Sequence, residues 1–334
     1  VTAPDLVTGA TGFVGAHLVR SLLSRGRSVR CLARPGSDLG NLDGLPVEIV
    51  RGDLRDPGSL ARAVSGIDTL YHCAADYRLW ARDSRELYAA NVAGTENVLR
   101  AAVEAGARRI VHTSSVATLA AREDRPAREE DMAEEDDVIG HYKRSKVRAE
   151  RVALGWAAAG APVVVVNPST PVGDLDAKPT PTGRIVADYL AGRMPAYVDT
   201  GLNVIDVRDV AEGHVLAAER GRPGERYILG NRNMTLKEIF DVLAELSGVP
   251  APRVRLPHWI PIAAAAVDTW ISPILGREPR VPLESARMAR HRMYFDSSKA
   301  VAELGLPQSP VEEALARAVA WFRERGGTGG PAAA

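Results

Sequence analysis

The chain has 334 residues, is 46% hydrophobic, and balances 42 basic against 42 acidic residues for a formal net charge of zero. Length and apolar content suit one large domain, or one and a half, around a substantial core, and the balanced charge steers the chain toward neither nucleic acid nor an anionic membrane, while leaving room for a local basic pocket. The two cysteines, Cys31 and Cys73, exclude a disulfide scaffold and read as buried free thiols in strands, which suits a reducing, cytoplasmic setting.

Taken in chain order, apolar runs alternate with helical patterns. Asp5–Thr8 reads as a strand, leaving no room for a signal peptide ahead of it, and Val14–Ser24 reads as a helix. Val29–Ala33 and Val47–Arg51 read as strands, Pro57–Val64 as a short helix, Thr69–Cys73 as a strand and Leu87–Ala105 as one long helix. Arg109–Thr113 reads as a strand, the charged stretch Arg122–Asp137 as an exposed loop, Tyr142–Ala159 as a helix and Pro162–Asn167 as a strand. Strands alternating with helices imply a parallel sheet built through right-handed crossovers. The all-apolar Val163-Val164-Val165-Val166 suits a sheet covered on both faces.

From Pro168 the pattern changes: prolines cluster at Pro171, Pro179, Pro181 and Pro195, and the helices Val210–Glu219 and Thr235–Ser247 mix with short strands such as Arg226–Leu229. The fold class is therefore α/β. A Rossmann-type doubly wound parallel sheet with helices on both faces is expected over residues 1–167. A smaller, mainly substrate-binding α/β part is expected over 168–325, with segments returning to the sheet. The Gly-, Pro- and Ala-rich tail 326–334 is expected to be disordered. Trp259–Leu275 is the nearest approach to a membrane-length apolar run of ~18 residues, but Pro261, Asp268 and Pro273 break it. It reads as a buried or partner-facing helix, or as the greasy wall of a substrate pocket.

The segment Thr8-Gly9-Ala10-Thr11-Gly12-Phe13-Val14-Gly15 sits between the first strand and the first helix. Glycines here permit a tight turn and a close backbone approach to a pyrophosphate, and the helix N-terminus offers free N–H groups. Gly9, Thr11, Gly12, Phe13, Val14 and Gly15 are thus candidate dinucleotide contacts, on a GxxGxxG spacing one residue longer than GxGxxG. An NAD-preferring fold places Asp or Glu after the second strand; this chain has Ala33 followed by Arg34, whose guanidinium suits a 2′-phosphate. NADP(H) is favoured, with NAD(H) the alternative. Asp53 reads as an acceptor for an adenine amino group or as a turn aspartate, Leu54 as a cover for the ring, and Ala74-Ala75 as small residues against which a cofactor lies. Thr113, Pro168 and Ser169, at the ends of two further strands, complete the expected cofactor contacts.

Tyr142 and Lys146 lie four apart on one helix face. A tyrosine pKa near ~10 is too high for a ready base, and a neighbouring ammonium is expected to lower it. Tyr142 can then exchange a proton with a carbonyl or alcohol oxygen. Thr113-Ser114-Ser115 ends the fifth strand, at the edge where open α/β sheets bind ligands. Seven scattered histidines, with no HExxH, CxxC or GxSxG motif, leave no metal or serine-nucleophile reading.

These motifs, with Gly52-Asp53-Leu54, the Asn91-Val92-Ala93-Gly94-Thr95 segment, Tyr142-Lys143-Arg144-Ser145-Lys146 and Asp206-Val207-Arg208-Asp209-Val210-Ala211, resemble the extended short-chain dehydrogenase/reductases over almost the whole chain. That resemblance implies a catalytic set of Ser115, Tyr142 and Lys146, with the lysine also binding the nicotinamide ribose, and a homodimer through the helices Leu87–Ala105 and Tyr142–Ala159. More narrowly, Ala74–Trp80, Asn167–Gly173 and Pro179–Arg184 resemble the hopanoid-associated sugar epimerases, near dihydroflavonol-reductase-like enzymes. Asp76, Tyr77, Trp80, Asn167 and Arg184 become candidate substrate contacts by position, together with Ser115; Tyr77 and Trp80 also read as core packing, and Asn167 as a strand-end cap. The implied activity is hydride transfer at a carbonyl or secondary alcohol of a sugar-like or polyol substrate, free or lipid-linked. Alternatives are an epimerase that retains its cofactor and a non-catalytic dinucleotide sensor.

Overall fold

A computed structural model describes residues 3–78, 83–272 and 283–325. Twelve strands are described: β1 (Asp5–Thr8), β2 (Val29–Ala33), β3 (Glu48–Arg51), β4 (Thr69–His72), β5 (Arg109–Thr113), β6 (Val163–Pro168), β7 (Thr170–Val172), β8 (Ala196–Val198), β9 (Gly201–Asp206), β10 (Arg226–Leu229), β11 (Arg232–Thr235) and β12 (Val254–Leu256). The helices are α1 (Phe13–Ser24), α2 (Pro57–Val64), α3 (Ser84–Tyr88), α4 (Gly94–Glu104), α5 (His141–Ala158), α6 (Pro181–Leu190), α7 (Val207–Arg220), α8 (Leu236–Ser247), α9 (Trp259–Ile271), α10 (Leu283–Met288) and α11 (Val311–Glu324).

Seven strands form one parallel sheet in the order β10-β6-β5-β4-β1-β2-β3. This is the doubly wound Rossmann arrangement, and the order reverses between β1 and β4. Side chains leave alternate faces of each strand. Val7, Cys31, Tyr71, Val111 and Val164 pack with α1 and α7 on one side. Leu6, Leu32, Leu70, Ile110 and Val163 pack with α2, α4 and α5 on the other. Burial on both faces explains why β6 is a run of valines. A second core joins Val172, Val204, Tyr189, Phe240 and Leu315 between a three-stranded β11-β9-β7 sheet and α6, α8 and α11. β10 and α7 return to the large sheet from this later part of the chain.

Four sequence expectations change. The helix expected over Leu87–Ala105 is three pieces, because a π-turn at Ala89–Ala93 separates α3 from α4. The stretch 122–137 is not simply an exposed loop: Asp131 is buried between Arg122 and Arg125, and buried Glu129 accepts the Ile228 N–H at 2.8 Å. Asp131 is neutralised within the stretch and Glu129 is bonded to a strand almost a hundred residues on, pairings that composition does not reveal. Cys73 lies just past β4 and is only half-buried, while burial pushes the Cys31 thiol up to about 12. Finally, α9 has one buried residue, Ala265, so it is not a core helix. The tail 326–334 lies outside the described residues, in which no helix is long and apolar enough to cross a membrane.

Candidate active site

β1 delivers the chain into the glycine turn at the point where the strand order reverses. Gly9 has φ +71°, and a Cβ there would stand 2.7 Å from the Ala74 nitrogen. The Gly12 N–H donates to the Gly9 carbonyl at 3.0 Å, and a Cβ on Gly15 would overlap that same carbonyl. Gly12 caps α1 without a side chain, and no carboxylate occupies the helix's first turn. The leading N–H groups of α1 therefore meet no competing anion, which fits a pyrophosphate. Around them Phe13 and Gly15 are buried, Thr11 and Val14 half-buried.

The adenosine end is more mixed. Arg34 is exposed just past β2, and its carbonyl accepts Arg51 Nη1 at 3.0 Å. Asp53 is held by Arg55, with Nε donating to Oδ1 at 2.9 Å and Nη2 to Oδ2 at 2.8 Å, and that pairing holds its carboxyl down at about 2. The Arg55 N–H also donates to Asp53 Oδ1 at 2.9 Å, the turn-aspartate arrangement. Leu54 covers Gly94, where a Cβ would come within 3.0 Å of it. Ala74 is half-buried and Ala75 exposed.

A directed hydrogen-bond chain ties this end of the sheet to α5. Thr95 donates its hydroxyl to the Asn91 carbonyl at 2.6 Å, so it accepts from His72 Nε2–H at 3.0 Å. His72 Nδ1 is then the acceptor, taking the Thr8 hydroxyl at 2.8 Å, and the Ala74 N–H donates to Thr8 Oγ1 at 3.2 Å. Burial lowers the His72 pKa to about 3, consistent with this neutral tautomer. The Asn91 amide clasps Asp76, accepting its N–H at 2.7 Å and donating to its carbonyl at 2.9 Å, and also donates to Ser145 Oγ at 2.9 Å. Ser145 in turn donates to the Tyr142 carbonyl at 2.7 Å. The π-turn places Asn91 to make all of these contacts.

Ser115, Tyr142 and Lys146 come together beside β5. The Tyr142 phenol lies near enough to the Ser115 hydroxyl to feel it, and Ser115 Oγ accepts the Ala117 N–H at 3.1 Å. Lys146 is 3% exposed and donates from Nζ to the Thr113 carbonyl at 2.9 Å. The expected lowering of the tyrosine pKa is reversed: burial pushes the Tyr142 phenol up to about 12, the Ser115 hydroxyl opposes this, and the Asp76 carboxylate reinforces it. Burial also pulls Lys146 down to about 8, against the raising effect of Glu150. Desolvation disfavours the charged form of each, so the phenol stays neutral and donates while the ammonium is the group that titrates near neutrality. Turnover in the direction of carbonyl reduction should therefore hold steady from pH ~6 to ~7.5 and decline above about 8 as Lys146 loses its proton. A pH–rate profile with one basic-limb ionisation, absent in Lys146→Arg, checks this.

The other expected contacts are placed as follows. The Thr113 hydroxyl is directed to α7: His214 Nδ1 donates to the Val210 carbonyl at 2.7 Å, leaving Nε2 to accept from Thr113 Oγ1 at 2.9 Å. Asn167 is fully buried, and its amide donates to the Ser115 carbonyl at 3.1 Å, Thr118 Oγ1 at 3.1 Å and Glu150 Oε2 at 2.7 Å. It thus braces the Ser115 turn from below. Pro168 ends β6, and the Ser169 N–H donates to the Leu229 carbonyl at 3.0 Å. The Asp76 carboxylate is bound by Arg78. Tyr77 is 42% exposed, and its hydroxyl donates to the Lys178 carbonyl at 3.2 Å, so it is not core. Arg184 is exposed on α6, close enough to oppose the upward shift of the Tyr77 phenol. Trp80 lies outside the described residues.

Sequence reasoning missed His72, Thr95, His214 and Glu150. Glu150 carried a readable signal: it continues the Tyr142, Lys146 spacing by four on one face of α5. The histidines carried none, since the side chains they join are 23 to 101 residues away.

The model of the NAD-dependent epimerase/dehydratase family matches residues 6–230. The chain belongs to that family. The chain is similar to a putative dihydroflavonol 4-reductase from Synechocystis, 49% identical over 96% of this chain and 94% of the relative. Sterol demethylase protein B from Methylococcus capsulatus is 38% identical over 96% and 98%. Among solved structures, a nucleoside-diphosphate-sugar epimerase from Pseudomonas aeruginosa superposes with a TM-score of 0.82 at 28% identity, covering 98% of this chain and 99% of that one. As an extended short-chain dehydrogenase/reductase of the epimerase/dehydratase family, the protein is an NAD(P)-dependent enzyme of the oxidoreductase/epimerase type.

Proposed function

We propose that the protein is an NADP(H)-dependent reductase acting on a carbonyl of a sugar-like or polyol substrate, lipid-linked and of the hopanoid-associated class. The observation that carries this reading is the grouping of Tyr142, Ser115 and Lys146 at the C-terminal edge of the sheet, with Lys146 Nζ on the Thr113 carbonyl and burial keeping the phenol protonated. A phenol still protonated at neutral pH is available to give its proton to an oxygen as charge develops there. A bound reduced nicotinamide supplies hydride to the carbonyl carbon. Ser115 orients the carbonyl oxygen, Tyr142 donates its proton there, and the buried Lys146 charge stabilises the phenolate left behind. The product is an alcohol, secondary from a ketone and primary from an aldehyde, and Tyr142 regains its proton from solvent. Ser115, Tyr77 and Arg184 border the substrate. On this reading residues 1–167 hold the cofactor, residues 168–325 mainly the substrate, and the protein works in the cytoplasm as a homodimer.

NADP(H) is supported by Arg34, exposed where a carboxylate would repel a 2′-phosphate. Wild type should prefer NADPH over NADH at least ~10-fold in kcat/KM, and Arg34→Ala should lose most of that preference, a change of ~1.4 kcal/mol. An unmoved ratio would remove Arg34 from cofactor choice. The family and the Pseudomonas neighbour favour a second reading, an epimerase with retained cofactor. Stoichiometric NADPH loss during product formation supports reduction; product formation with no net loss, from protein that keeps a cofactor through purification, supports epimerisation.

A further inference from the structure

α9 turns its apolar side outward. Its exposed positions are Trp259, Ala263, Ala264, Val267, Trp270 and Ile271. At about 100° per residue these six fall within a single arc of about 140°, and none is polar. Trp259 and Trp270 are 68% and 81% exposed, one at each end of the helix. A continuous exposed apolar face marks an interaction surface.

Charge identifies the partner. The chain as a whole is neutral, yet residues 250–272 and 283–292 hold five arginines against two carboxylates, with Arg255 and Arg292 sharing Asp199. Arg287 is exposed on α10, which packs on α9, and Arg290 just past α10 and Arg253 in the segment leading to α9 are exposed as well. A second copy fits poorly. A stable protein interface needs ~20–30 residues a side, against the six of this face, and a two-fold axis would set arginine against arginine.

The face is also joined to the catalytic helix. α9 packs on α10, whose Glu284 carboxylate lies by Gly140 and His141, just before Tyr142. A Cβ on Gly140 would overlap the Glu284 carboxylate, so α10 sits directly on the start of α5.

We propose that α9 docks the protein on an anionic lipid bilayer. The helix lies in the interface with its tryptophans at headgroup level and the flanking arginines on anionic headgroups. α10 then sets the catalytic helix beside the surface from which a lipid-linked substrate comes. This delivery role rests on the reductase reading; the docking itself stands on exposure and charge.

The test is co-sedimentation of the full chain with phosphatidylcholine vesicles containing about 30% phosphatidylglycerol, at low salt. Binding is expected to fall at least ~10-fold in Trp259→Ser/Trp270→Ser, and in wild type at about 0.5 M salt. Arg253→Glu/Arg290→Glu should lose binding comparably. Brominated lipid should quench the wild-type tryptophan emission and not that of the serine variant. Reduction of a short, water-soluble hydroxyaldehyde with NADPH should be the same in all three proteins, which also shows that the variants fold. Absence of vesicle binding by wild type, or unchanged binding in the serine variant, overturns the proposal. Loss of an oligomer in that variant, with no vesicle binding by wild type, assigns the face to a second copy. Vesicle binding without reduction of any carbonyl overturns the reductase reading and leaves the docking surface standing.

Discussion

Tyr142→Phe is expected to slow turnover at least ~100-fold while leaving the cofactor dissociation constant within about two-fold of wild type. The ring keeps its packing, because only the hydroxyl is lost. On the proposed mechanism that hydroxyl, near Ser115 and one helical turn from Lys146, is the proton donor. The glycine cradle, which contacts neither group, is untouched. The loss should appear in kcat and kcat/KM alike, as it does when an interaction made only in the transition state is removed. Steady-state kinetics together with cofactor titration by fluorescence measure both quantities. Turnover near the wild-type rate would mean that another group supplies the proton.

Gly9→Ala is expected to be the most damaging single-methyl change in the cradle. It combines a left-handed backbone with a blocked approach: φ is +71°, and the new Cβ would meet the Ala74 nitrogen at 2.7 Å and the Cys73 carbonyl carbon at 2.8 Å. Backbone strain costs about 1–3 kcal/mol, and overpacking against rigid backbone adds about 1–3 kcal/mol. Gly26 is a built-in control, with the same φ of +71° and no atom within 4 Å of an added Cβ. Gly26→Ala should therefore show the strain alone. Denaturant midpoints of the two variants should differ by at least ~1 kcal/mol, with Gly9→Ala the less stable and the only one with weakened dinucleotide binding. Equal destabilisation would show that β1 and β4 separate readily enough to admit the methyl.

The sheet was legible because its signals are local. β1, β2, β5 and α2 fall on the residues expected from apolar runs, and Pro57 at the start of α2 marks a helix entry. The glycine turn and the Tyr142, Lys146 pair were legible for the same reason: each is a short spacing within one element. Illegible features depend on partners distant in sequence. Asn91 lengthens a helical turn to reach Asp76 and Ser145, and periodicity alone reads through it as an unbroken helix. Asn167 lies at a strand end near the site, where sequence offers both a substrate contact and a cap; its burial with Glu150 and Thr118 is a tertiary fact. The sign of the Tyr142 shift was misjudged because spacing reveals the neighbouring ammonium but not the depth of burial, and burial is the larger effect.

On the proposed mechanism, the buried ammonium of Lys146 sets durability against turnover. Its folded pKa of about 8 lies below the ordinary 10.5, so between those values the unfolded chain binds the proton more tightly. The penalty is present in full below about pH 8 and is relieved as pH rises through that window. An uncharged, similarly long side chain such as methionine would escape it and leave a sturdier, inert protein. A variant library ranked by heat resistance alone would thus enrich dead molecules at this position, and any hardening campaign on this scaffold has to score product formation in the same round.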